Sequence, residues 1–263
     1  MMKALFLLFV SIAHASLIIQ KSSSNNLSNI DVLSDEPGIS NLDTDQFALK
    51  YKLSKKIYKA RKEKFIKHEG DELFGKYLAM NIPYRPVRDL FDALNMDMGK
   101  GKLKSPGTEA HITIITPREY NLVLKQAGVT IEEISEIAEA YRIQESLFKV
   151  HCLGRSCIYN SALHNRQPQQ ISTSSNTTSS NSFGSEKLCT YYLVVRDIDQ
   201  DFLRVRKMIF DLYLRKGGER SWFDPSAFWP HITIGFDDRD LFIQDGVFKG
   251  PNSCISKIKM VKH

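Results

Sequence analysis

The sequence predicts an α+β fold of two similar lobes, built from antiparallel or mixed sheet with helices outside. Three observations carry this expectation. The tetrapeptide His-Ile-Thr-Ile occurs twice, at 111–114 and at 231–234. Each copy belongs to a stretch in which strand-like and helix-like patterns alternate, the grammar of layered α/β packing. Between the two stretches, from Arg155 to Lys187, lies a segment that includes "QPQQISTSSNTTSSNS" and is too polar to pack.

The bulk numbers bound the rest. At 263 residues the chain is long enough to bury a sizeable core. Its 42% hydrophobic and 25% charged residues exclude a fibrous or wholly disordered chain. A net charge of +6 favours an anionic partner, but nine Lys or Arg crowd into residues 50–67, where a solvated helix face explains them better than a nucleic-acid patch.

Taken in order, residues 1–15 read as a signal peptide. "MMKALFLLFVSIAHAS" has Lys3, an apolar run from Ala4 to Ala13, and Ala13-His14-Ala15 before Ser16. The run is too short for an ordinary membrane span. The expected destination is the secretory pathway, extracellular or vacuolar. There, Cys152, Cys157, Cys189 and Cys254 become disulfide candidates, with three pairings open. Asn26 and Asn176 lie in glycosylation sequons.

Residues 16–49 form a polar, flexible leader. Residues 50–70 read as a basic amphipathic helix, with Leu53, Ile57, Ala60 and Phe65 on one side. From 71 to 263 the chain is a single domain, interrupted at about 158–187 by the Ser/Asn-rich insertion. "KYLAMNIP" is a strand ended by Pro83, "VRDLFDALNMDMG" a helix, and "AHITIIT" a strand stopped by Pro117. "PREYNLVLKQAG" restarts as a helix, with proline in its first turn and glycine at its end. Thr130 and Glu133 form a capping box that opens "IEEISEIAEAYR". Strands follow at "SLFKVHCLG" and "CTYYLVVRD", then a helix at "QDFLRVRKMIFDLYLRKGG" closed by Gly217 and Gly218. "PHITIGF" and "CISKIKMVK" complete the strands.

The chemistry lies in the repeated tetrapeptides. Side chains alternate along a strand, so His111 and Thr113 share one face while Ile112 and Ile114 share the other. His231 and Thr233 repeat the arrangement. Two imidazoles can serve one as base and one as acid near neutral pH. Two hydroxyls can donate to the oxygens of a phosphate held between them. This set suits phosphodiester cleavage with no metal and no cofactor.

These motifs, "HITIITPREY" and "FWPHITIGF", resemble those of the 2H phosphoesterase superfamily, and within it the fungal Swiss Army Knife RNA repair-like group. The resemblance covers about Asp71 to Gly250. It implies two lobes related by a pseudo-two-fold axis around a central cleft. It also implies His111 and His231 as catalytic residues, with Thr113 and Thr233 binding phosphate. The implied substrate is RNA or a nucleotide bearing a 2′,3′-cyclic phosphate. An alternative of another class is a catalytically idle module of the same fold that binds nucleotides or RNA. Beside the motifs, Arg118 and Tyr120 are candidates for reaching phosphate, and Phe228 and Trp229 for stacking on a base. Core packing competes for Phe228 and Trp229, and a place at a helix start for Arg118 and Tyr120.

Overall fold

The computed structural model describes residues 51–72, 74–99, 101–159 and 187–262. The expected signal peptide, the leader and nearly all of the Ser/Asn-rich insertion lie outside them. In chain order the elements are β1 (Tyr51–Ser54), β2 (His68–Glu69), β3 (Lys76–Ile82), α1 (Tyr84–Asp97), β4 (Ala110–Ile115) and α2 (Ile131–Ala140). There follow β5 (Phe148–Tyr159), β6 (Lys187–Asp197), α3 (Asp201–Arg215), β7 (His231–Phe236), β8 (Cys254–Ser256) and β9 (Ile258–Val261). An irregular helical stretch, Pro117 to Ala127, joins β4 to α2.

Two units repeat. β3, α1 and β4 form a strand, helix and antiparallel return strand, and β6, α3 and β7 do the same. The first unit belongs to a sheet ordered β2-β3-β4 and the second to a sheet ordered β7-β6-β5-β8, so each His-x-Thr strand is a sheet edge. Helices cross over between the units. α1 packs on β7, and α3 packs on both β4 and β6. The chain is thus a two-lobed α+β fold with pseudo-two-fold symmetry.

Apolar periodicity explains the helices. Val87, Leu90, Phe91 and Leu94 put one stripe of α1 into the core, and Phe202, Val205, Ile209 and Tyr213 do so for α3. The expected Thr130/Glu133 capping box is present at the start of α2. A second, between Thr116 and Glu119, opens the turn after β4. Gly128, at φ 82°, ends the helical stretch in a left-handed conformation that costs glycine little.

The basic run is a correction. Of the stretch expected to be an amphipathic helix, residues 51–70 do not form one: β1, two 3₁₀ turns, Lys55–Tyr58 and Ala60–Lys62, and β2 occupy them instead. Leu53, Ile57 and Ala60 are buried as the pattern required. The element type was decided from far away in the sequence, because β1 pairs in parallel with β9, Leu53 opposite Met260. Such a pairing leaves no local signal.

All four cysteines are bridged. Cys157–Cys189 joins directly opposed residues of β5 and β6, and Cys152–Cys254 ties β5 to β8. Among the described residues, no helix is long and apolar enough to cross a membrane.

Candidate active site

Alternation along the two edge strands does what the sequence requires. Ile112, Ile114, Ile232 and Ile234 are fully buried, while His111, Thr113, His231 and Thr233 are half-buried on the opposite faces. A shared irregularity follows each threonine. Thr113 pairs with Ala79 and Ile115 with Leu78, so Ile114 is an extra residue on β4; Thr233 pairs with Tyr192 and Gly235 with Tyr191, so Ile234 is extra on β7. These bulges let two successive residues, Ile114 with Ile115 and Ile234 with Gly235, both turn inward.

β4 and β7 pack against one another. The loop leading into β4 reinforces this, since Lys104 and Phe236 exchange backbone hydrogen bonds of 2.8 and 3.1 Å. His111 stands near enough that its charge bears on His231.

Each imidazole has beside its Nδ1 a polar group from two residues earlier. His231 Nδ1 lies 2.8 Å from the carbonyl oxygen of Trp229. A carbonyl only accepts, so Nδ1 carries a proton and the lone pair of the neutral ring sits on Nε2. Burial holds this imidazole well below the ordinary histidine range, and the nearby Lys249 ammonium pushes the same way. His111 Nδ1 is also buried, 3.6 Å from Glu109 Oε1. That distance exceeds a hydrogen bond. The His111 ring beside it holds the Glu109 carboxyl below the usual carboxylate range. The His111 side chain is 30% exposed although its Nδ1 is covered.

The threonines differ. Thr233 Oγ1 donates to Asp240 Oδ2 at 3.2 Å. Asp240 also accepts from the Thr190 hydroxyl, the Leu241 amide and the Lys249 ammonium, which bonds both of its oxygens at 2.7 and 2.8 Å. Lys249 is 4% exposed and lies over the rings of Tyr192 and Phe242. Among the described residues, the Thr113 hydroxyl has no such partner.

The other candidates separate. Tyr120 is a core residue, 4% exposed, and Arg118 is exposed at the start of the helical turn. Phe228 packs against Phe202 and the Arg206 guanidinium. Trp229 crosses Phe248 edge-on, with ring centroids 5.1 Å apart, and lines a cavity of about 410 Å³ together with Phe228, Pro230 and Lys249. Its contact with the paired motifs is through its carbonyl. Sequence reasoning missed Glu109, Asp240 and Lys249. Strand alternation places Glu109 on the face of His111, so that signal was available; nothing local points to the other two.

The family model for the Swiss Army Knife 2H phosphoesterase domain matches residues 76–242, which contain both His-x-Thr strands. No curated protein and no solved structure matches the chain.

Proposed function

The chain belongs to the Swiss Army Knife 2H phosphoesterases, and from that premise we propose a metal-independent phosphodiesterase acting on RNA or nucleotide 2′,3′-cyclic phosphates. One observation carries the reading. On two packed edge strands, both imidazoles have Nδ1 covered beside a polar group two residues earlier, an arrangement that leaves Nε2 as the nitrogen for proton transfer. A proton acceptor and a proton donor on opposite sides of one phosphate are what hydrolysis of a phosphodiester needs. Thr113 and Thr233, on the same faces, supply donors for the non-bridging oxygens. Two disulfides support a setting in the secretory pathway, where such bonds persist.

The test is incubation of the purified protein with each nucleoside 2′,3′-cyclic phosphate, with and without EDTA, followed by identification of the phosphomonoester. Turnover that survives the chelator supports the proposal. Binding without turnover would instead make the chain an idle module of the same fold.

A further inference from the structure

We propose that Glu109 is a positioning residue that sets the division of labour between the two histidines, making His111 the general acid and His231 the general base. This rests on the phosphodiesterase reading above and deepens it.

The argument is an asymmetry within a near-symmetric site. Both rings have residue i−2 beside Nδ1, but the two neighbours differ. Glu109 offers an anion, 3.6 Å away, whereas Trp229 offers a neutral carbonyl at 2.8 Å. An anion beside a ring favours the imidazolium, which carries the proton an acid must give. A carbonyl fixes the tautomer without paying for charge, leaving Nε2 bare to receive a proton.

The remaining charged and titratable neighbours reinforce the split. Around His111 stand Tyr77 on β3, whose hydroxyl reaches Glu109 Oε1 at 3.5 Å, and His68 on β2, stacked on Tyr77 at 4.0 Å. Burial keeps His68 low in the histidine range, so it adds no competing cation. Glu72 is the other acid near this group, acting on Tyr77. Around His231 stand Lys249, Asp240 and His111. Burial and then the Lys249 ammonium oppose a positive charge on this ring and outweigh the Asp240 carboxylate, which favours one.

In the resulting step, His231 Nε2 takes a proton from water as the water oxygen bonds to phosphorus. The bond from phosphorus to the ribose oxygen breaks with its electron pair on that oxygen, which receives the proton from His111 Nε2. Solvent then exchanges the proton from one ring and returns one to the other, so the cycle closes as simple hydrolysis.

Leaving groups distinguish the two roles. A nucleoside 2′,3′-cyclic phosphate expels an alkoxide and needs the acid; thymidine 5′-(p-nitrophenyl phosphate) expels a nitrophenolate and does not. Glu109→Gln is expected to lower kcat on the cyclic phosphate by roughly 10-fold or more, less than loss of the acid itself. KM and the rate on the nitrophenyl ester should stay nearly unchanged, and Glu109→Asp should recover much of the loss. His111→Ala should show the same selectivity more strongly, while His231→Ala should lose both substrates. A wild-type rate for Glu109→Gln on the cyclic phosphate, an equal loss on both substrates, or selectivity shown by His231→Ala instead would each overturn the proposal. Retention of turnover by both histidine variants would instead remove the phosphodiesterase reading beneath it.

Discussion

Arg206, on α3, donates through Nη1 to the carbonyl of Ile114, the extra residue in the bulge of the first motif strand, at 2.7 Å. The same guanidinium donates to Pro225 and Asp224 carbonyls, in the loop that leads to the second motif, and to Glu119 Oε1. It lies between the rings of Phe223 and Phe228, at 5.0 and 4.9 Å. One side chain therefore ties the bulge of one catalytic-candidate strand to the approach of the other, across the lobe boundary.

With Arg206 1% exposed, Arg206→Met leaves Glu119 Oε1 without its cation, the buried Ile114 carbonyl unpaired, and the Asp224 and Pro225 carbonyls without their donor. The expected cost is about 3–5 kcal/mol, read as a lower urea midpoint with an unchanged m-value. Arg206→Lys should rescue little, since an ammonium cannot reproduce the planar fork.

Asp240 and Lys249 form the second clamp, beneath Thr233. Asp240→Asn strands a buried ammonium and should destabilise by about 3–5 kcal/mol, while the double variant Asp240→Asn/Lys249→Met should recover part of that loss. Burial pushes the Asp240 carboxyl up, but the charge and hydrogen bonds of Lys249 outweigh it and leave the group below its ordinary value. The folded value thus lies under the unfolded one of about 3.9, and the stabilisation is present above that pH. It is lost as pH falls through the folded value. Stability measured below about pH 4 should drop in the wild type, and drop less in the double variant.

The threonines should not be equivalent. Thr233 has a single proton and already donates it to Asp240, so donating to phosphate means surrendering that bond. Thr113 has no such prior commitment. Thr113→Val should therefore reduce kcat/KM on a cyclic phosphate by roughly 10- to 10³-fold, bounded by the loss of an oxyanion donor, and Thr233→Val by less. Steady-state kinetics of the two variants checks the order.

Much of this was legible because strand chemistry is local. The period of two placed His111, Thr113, His231 and Thr233 on one face each and the four isoleucines on the other, and the structure keeps that division. Pro83, Gly128 and the Thr130/Glu133 pair marked element ends for reasons contained within a few residues. What local reading lost was set by distant contacts. β1 was taken for helix because its partner β9 lies some two hundred residues on. The bulges at Ile114 and Ile234 arise from register with β3 and β6, not from a glycine or proline signal at those positions. Tyr120, offered as a phosphate contact, was instead claimed by the core. The Asp240–Lys249 pair joins residues that only the turn after β7 brings together.

The most direct test of the central claim is single-turnover hydrolysis of a nucleoside 2′,3′-cyclic phosphate by the wild type, His111→Ala and His231→Ala in the presence of EDTA. Both rings are half-buried, so the unfolding transition of each variant is measured beside its rate, and a folded variant is the one compared. Each variant is predicted to lose about 10²- to 10⁴-fold in rate, the contribution of one positioned acid or base. A folded variant of either histidine that turned over at the wild-type rate would contradict the paired acid–base account.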